Sequence, residues 1–235
     1  MSDAALLAQR IVVALDAPTE EQNLALIAAL EGRAVHYKVG MRAFYGGASR
    51  TLRAISSAGA SLFLDLKLHD IPKTVESAAR VLAVHQPALL TVHASGGPAM
   101  VRAALEGLAD GGATATRVLG VTVLTSMNSG AVQALGWGDD VGAVVQRLAG
   151  LAIEGGAHGL VCSGRESAMI RTRWPDVLRV VPGIRPPGGA MDDQARVLTP
   201  GAALAAGADL LVIGRPLWQS SDPEAAWDKL VSGGA

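Results

Sequence analysis

Eight short apolar runs, each followed by a stretch of helical character, recur along this chain, and that alternation constrains the fold more than any other feature. The runs read as strands at 11–16 (IVVALD), 35–40 (VHYKVG), from Ser61 (SLFLDLKL), and at 88–93 (ALLTVH), 117–124 (RVLGVTVL), 158–162, 177–181 and 209–213. Helices are expected at about 19–30, with Leu24, Ile27 and Ala28 on the inner stripe, then at 42–57, from Pro72 and from Pro98. Further helices follow at 141–154, 166–172, 200–206 and 223–231. Near-continuous hydrophobic strands are those of a parallel sheet covered on both faces. An open doubly wound sheet has the same alternation, but no Gly-rich dinucleotide fingerprint follows the first strand, and polar groups end almost every strand rather than one switch point. Eight units close a (β/α)8 TIM barrel, here an α/β single domain over residues 1–235, whose strand ends converge on one mouth.

Composition excludes several classes of function. The formal charge is −1, from 20 basic and 21 acidic residues, so no net field favours nucleic acid or an anionic membrane. Aromatic residues make up 3%, too few for base-stacking platforms. A single cysteine, Cys162 in GLVCSG, rules out an internal disulfide and a Cys-based zinc site, and its apolar neighbours mark it as a buried small hydrophobe. MSDAALLAQR carries an acidic residue and too short an apolar run for a signal peptide, and the longest charge-free run, 118–138, is broken by polar residues. A cytoplasmic location is expected. Of the 20 basic residues only four are Lys, namely Lys38, Lys67, Lys73 and Lys229. Lysine is the cation whose proton a site can tune, and two of the four stand at strand ends.

The stretch 61–74, SLFLDLKLHDIPKT, contradicts a plain core strand. At a period of two, Leu62, Leu64, Leu66 and Leu68 share one face, while Phe63, Asp65, Lys67 and His69 share the other. A solvated pair on an edge strand does not suit the all-leucine opposite face, and an internal salt bridge leaves carboxylate in excess once Asp70 is counted. Unpaired buried ions lose several kcal/mol of solvation, about enough to demand a bound partner. His69 follows the alternation inward among hydrophobic neighbours and reads as a packed histidine; His93, ending its strand, reads as structural at the edge of the mouth.

The strand-end residues separate into two chemical halves. Lys38, Asp65, Lys67 and Asp70 alternate in charge, which keeps each Lys protonated and each Asp ionised. A rigid ammonium there is a general acid in a preorganised field. Gly214-Arg215 after the last strand, with Arg185 and Gln194 from the loop before it, place backbone N–H groups and guanidinium where barrels bind phosphate. Asp16 and Thr125 complete the mouth.

Beyond these residue types, DLKLHDIPKT, with YKVG before it and VTVLTSM, PGIRP, DQ and VIGRP after it in that order, resembles the orotidine 5′-monophosphate decarboxylase family from Asp16 to Pro216. The resemblance implies a (β/α)8 barrel acting as a homodimer, without metal or organic cofactor, on orotidine 5′-monophosphate to give UMP and CO2 in pyrimidine biosynthesis. It implies that Lys67 donates the proton to C6, that Asp65 lies near the departing CO2, and that Asp70 completes the neighbouring subunit's site. Lys38 and Asp16 match ribose contacts, Thr125 a pyrimidine contact, and Gln194, Arg185, Gly214 and Arg215 the phosphate grip; Thr74 and Pro182 match further substrate-binding positions. Two departures stand out: Lys73 where many relatives have Asn, and MRAFYGGAS, looser than the usual pattern after KVG.

The D-x-K-x-x-D core is shared with metal-dependent relatives, keto-sugar-phosphate decarboxylases and hexulose-phosphate synthases, against which LTSM and PGIRP argue. A catalytically silent nucleotide-binding barrel would need a lesion in the charged array, and Lys38, Asp65, Lys67 and Asp70 are all present. With no electron-sink cofactor motif, the carbanion left at C6 must be stabilised by the adjacent ammonium.

Overall fold

Local sequence starts the elements where the apolar pattern does. Thr19 caps a helix by accepting the Gln22 N–H (3.3 Å) while the Gln22 side chain accepts the Thr19 N–H (3.1 Å), a reciprocal capping box. Asp140 accepts the Gly142 N–H (2.8 Å) at the start of another helix, and Pro72 opens a third at its first turn. The computed structural model describes residues 3–185 and 198–232. Its strands are β1 (Ile11–Ala14), β2 (His36–Gly40), β3 (Ser61–Leu68), β4 (Leu89–His93), β5 (Arg117–Val121), β6 (Gly159–Val161), β7 (Leu178–Val181) and β8 (Leu210–Ile213). Between and around them run α1 (Asp3–Ala8), α2 (Glu20–Ala29), α3 (Met41–Tyr45), α4 (Ser49–Ser57), α5 (Pro72–Leu82) and α6 (Gly97–Asp110). The second half carries α7 (Ser129–Ala134), α8 (Val141–Glu154), α9 (Gly164–Arg173), α10 (Pro200–Ala205), α11 (Arg215–Trp218) and α12 (Pro223–Ser232).

All eight strands are parallel and pair in sequence order, and β8 returns to β1 through Ile11↔Leu211, Val12↔Val212 and Val13↔Ile213. The sheet is a closed (β/α)8 barrel, as the alternation requires. Closure divides each apolar run between two cores. Val12, Ala14, Phe63, Leu89, Leu119, Val180 and Val212 fill the interior, while Ile11, Val13, Leu64, Leu90 and Leu211 pack outward against the helices. That double burial is why the strands carry so little polar alternation.

Several details depart from the sequence reading. The helix expected over 42–57 is two, α3 and α4, because Gly46-Gly47 interrupts it and Gly47 turns left-handed at φ +96°. The buried stripe around α2 is Asn23, Leu26, Ile27 and Leu30, with Ala28 exposed. The alternation of β3 fails at its end. Phe63↔Leu89 and Leu64↔Leu90 are in step with β4, but the next pair is Leu68↔Val92, so three residues of β3 face one of β4. His69 therefore escapes the apolar interior: it is exposed and tilts against His93, with ring centroids 5.3 Å apart.

Helices α5 and α6 pack closely because α6 offers glycine. A Cβ on Gly107 would collide with the Glu76 carbonyl of α5, and one on Gly111 would lie 2.7 Å from the Arg80 carbonyl. Both obstacles are backbone and cannot move aside cheaply. Helix propensity alone makes Gly107→Ala stabilising by about 1 kcal/mol. The packing reverses the sign, and urea unfolding of Gly107→Ala is expected to show a loss of about 2 kcal/mol.

Candidate active site

The strands end at one face, and the groups they carry meet there. Asp16 follows β1, Lys38 lies in β2, Asp65 and Lys67 end β3, Thr125 follows β5, Pro182 and Arg185 follow β7, and Gly214 and Arg215 follow β8. All of them line a single cavity of ≈ 540 Å³. Its floor is apolar, made by the inward residues Phe63, Val121, Val161, Val180 and Val212. Cys162 also borders it; the thiol is 1% exposed and burial pushes its pKa up, as expected of a packed hydrophobe.

The charges form a chain. Lys38 Nζ lies 3.2 Å from Asp16 Oδ2 and 3.3 Å from Asp65 Oδ2, and Lys67 Nζ lies 2.7 Å from Asp65 Oδ1. The two oxygens of Asp65 thus face different ammonium groups. Exposure of the side chains rises from 8% at Lys38 and 13% at Asp65 to 24% at Lys67 and 41% at Asp16, so the core of the array is desolvated and its ends reach the cavity. Burial works against charge on Lys38, yet the Asp65 and Asp16 carboxylates outweigh it and raise its pKa. Burial likewise works against charge on Asp65, and Lys38 and Lys67 overcome it, holding its carboxyl below the ordinary range.

Close packing keeps this chain in place. A Cβ on Gly40 would lie 2.8 Å from Asp16 Oδ1 and 3.1 Å from Lys38 Nζ, so the last residue of β2 leaves room for the ion pair beside it. Arg42, at the start of α3, donates to the Asp16 carbonyl at 3.3 Å. On the far side of the cavity, Arg185 Nη1 donates to the Ile184 carbonyl at 3.0 Å, and Gly214 approaches β1 so closely that a Cβ would sit 3.3 Å from that of Ala14. Arg185, Gly214 and Arg215 thus share one cavity with the charged array, over an apolar floor. Gln194 lies outside the described residues.

Two expected site residues stay away from this cavity. Asp70 is exposed, its Oδ1 accepting the Ile71 N–H at 2.7 Å, and Thr74 is exposed on the first turn of α5. Neither lines the cavity of its own chain. Lys73, the departure in HDIPKT, points to solvent with 74% of its side chain exposed and pairs with Glu76 at 2.9 Å. His93 sits beside the array, and burial, with His69 and Lys67 near it, pushes its pKa down. Among the described residues, no group of three or more His, Cys, Asp and Glu side chains could hold a metal ion.

Three residues of the site escaped the sequence reading. Arg42 and Trp218 line the cavity from short helices, α3 and α11; the sequence reading makes Arg42 the start of one long helix over 42–57 and marks no helix at α11. Thr91 of β4 donates to Asp65 Oδ1 (3.1 Å) and accepts the backbone N–H of Lys67 (2.9 Å). One signal for it existed: it is the lone hydroxyl in ALLTVH.

Comparison with known proteins agrees with this geometry. The model described as "Orotidine 5'-phosphate decarboxylase / HUMPS family" matches residues 9–230. The orotidine 5′-phosphate decarboxylase of Thermobifida fusca (strain YX) is 50% identical over 222 residues, covering 94% of this chain and 93% of that protein. That of Anaeromyxobacter sp. (strain K) is 47% identical over 226 residues, covering 96% and 98%. The crystal structure of orotidine 5′-phosphate decarboxylase from Lactobacillus acidophilus superposes with a TM-score of 0.83 at 34% identity, over 96% of this chain and 99% of that one. By a match along nearly its whole length, the chain belongs to the orotidine 5′-phosphate decarboxylase / HUMPS family.

Proposed function

We propose that this chain decarboxylates orotidine 5′-monophosphate to UMP and CO2, a step of pyrimidine biosynthesis, and that Lys67 protonates C6. The relatives that cover more than nine-tenths of the chain carry the name of that activity. The observation that carries the assignment of Lys67 is its ammonium, placed 2.7 Å from Asp65 at the cavity wall with 24% of its side chain exposed. When the bond from C6 to the carboxylate breaks, the electron pair stays on C6 in the plane of the ring, outside the reach of the π system. A fixed cation next to C6 attracts that pair as it develops, and its proton then completes the C6–H bond, leaving a neutral amine that solvent reprotonates.

The remaining roles follow the two halves of the cavity. Asp65 orients Lys67 and lies near the departing CO2; Lys38 and Asp16 hold the ribose, and Thr125 the pyrimidine. Arg185, Gly214 and Arg215, with Gln194, hold the phosphate, and Pro182 borders the same wall. Phosphate binding far from C6 supplies energy for alignment, so a substrate lacking it loses rate as well as affinity. Two copies of the chain form the working unit: Asp70 and Thr74 stand outside their own cavity, next to Ile71, which is 66% exposed, and they complete the site of the second copy. No helix among the described residues is long and apolar enough to cross a membrane, and the cytoplasm is the compartment that this reading assigns to a step of nucleotide biosynthesis.

Conversion of orotidine 5′-monophosphate, followed by absorbance, is expected to persist in excess EDTA and to fall at least about 10⁴-fold in Lys67→Ala. Loss of activity on chelation would point to the metal-dependent sugar-phosphate chemistry of the wider family. Mixing Lys67→Ala with Asp70→Ala chains is expected to restore activity through heterodimers with one intact site; no recovery in mixtures that exchange subunits would refute the shared site.

The electrostatics set a pH window. The folded-state pKa of Asp65 is depressed, so its contribution is present above its ordinary value of 3.8 and is lost as pH falls through the lower folded value. That of Lys38 is raised, so its contribution is present below 10.5 and is lost as pH rises through the higher folded value. Asp65→Asn leaves two ammonium groups with one fewer carboxylate and is expected to cost about 3 kcal/mol at pH 7. Urea unfolding across the acid range is also expected to show a shallower slope in that variant, by up to about 1.4 kcal/mol per pH unit.

A further inference from the structure

Lys67 has φ 49°, one of only two non-glycine residues with positive φ among the described residues. An L-residue does not adopt that conformation without support from its surroundings. The cause lies in the pairing of β3 with β4. Between Leu64↔Leu90 and Leu68↔Val92, three residues of β3, namely Asp65, Leu66 and Lys67, run against Thr91 alone. The bulge takes the Lys67 N–H out of the regular ladder, and a buried N–H without an acceptor is costly. The Thr91 hydroxyl takes the place of the missing carbonyl, accepting that N–H at 2.9 Å, and its own proton goes to Asp65 Oδ1 at 3.1 Å. One fully buried hydroxyl, with 0% exposure, therefore fixes the backbone of the residue assigned as acid and the carboxylate that aims it.

We infer that Thr91 is a positioning residue of the decarboxylation, setting the direction of the Lys67 side chain through its backbone and through Asp65 without touching substrate. The inference rests on the reading of Lys67 as the proton donor. Thr91 does not line the cavity, so its effect on the ring reaches it through those two hydrogen bonds. Without the hydroxyl, the left-handed turn at Lys67 loses the acceptor of its N–H, and a displacement of the order of 1 Å in a reacting group is worth about 10²-fold in rate. Binding of the ribose and phosphate is assigned to residues on other strands and is expected to survive.

The test is kinetic, with three variants of the full-length chain. Thr91→Val keeps the shape and removes the hydroxyl: kcat is expected to fall about 10- to 100-fold, while KM and the affinity for UMP change less than about threefold. Thr91→Ser keeps the hydroxyl and removes the methyl: Tm is expected to drop while kcat stays within about threefold of wild type. The acid limb of kcat adds a second readout. Asp65 faces Lys38 from β2, Lys67 from its own strand and His93 from β4, and the Thr91 hydroxyl is among the groups that keep it ionised. Its removal moves the acid limb to higher pH in Thr91→Val and leaves it in place in Thr91→Ser. Unchanged kcat and acid limb in Thr91→Val overturn the inference, as does an equal loss of kcat in both variants, which would mean packing rather than the hydroxyl. If Thr91→Val does not fold, Thr91→Cys, with a weaker donor and acceptor of similar size, replaces it, and a kcat equal to that of Thr91→Ser is the refuting result. Lys67→Ala, the third variant, separates the two levels. Activity retained there refutes the role of Lys67 itself, whereas an inactive Lys67→Ala beside a fully active Thr91→Val refutes only the role of Thr91.

Discussion

Asp65 is the group on which the rest of the site depends. Its carboxylate is desolvated, and one oxygen faces Lys38 while the other faces Lys67. An isolated ion so deep in a protein loses several kcal/mol of hydration, about as much as a whole domain can spare. Here each ion in the interior of the array has an opposite neighbour, and the barrel supplies the rigid frame that keeps them apart by fixed distances. A flexible surface would let the groups collapse or turn to water, and the field at the cavity would vanish with them.

The surrounding structure is shaped to tolerate this arrangement. Gly40 leaves space beside Asp16 and Lys38, and Thr91 satisfies the backbone N–H of Lys67 that the bulge in β3 takes out of the ladder. None of these features strengthens the barrel for its own sake. A regular β3 would keep its ladder, so the irregularity at Lys67 is a local cost in stability.

The cavity pairs two unlike ends. One presents alternating ions; the other presents guanidinium and a glycine backbone, and an apolar floor separates them. Such a division suits a nucleotide, whose phosphate and reacting ring lie at opposite ends, and it allows affinity from one end to serve alignment at the other. The barrel accomplishes it with no residue moved far in sequence from its strand: early strands furnish the ions, and the last two furnish Arg185, Gly214 and Arg215.

Much of this was legible before any coordinates. Hydrophobic runs on both strand faces require a covered parallel sheet, eight units are enough to close it, and charges at strand ends must then share a mouth. The identities of Lys38, Asp65, Lys67 and Arg215 as mouth residues follow from that reasoning alone. What tertiary structure decided is register. Periodicity placed His69 inside and left Thr91 as one more position in an apolar run. The bulge that puts His69 outside and Thr91 under Asp65 is a relation between residues 24 and 26 positions apart. A period read along one strand carries no information about how many residues its neighbour sets against it. The sequence names Asp70 as part of the charged pattern, and in the folded chain it does not line the cavity of its own chain. Residue chemistry is a property of the chain, whereas the direction in which a side chain points is set by the strands paired beside it.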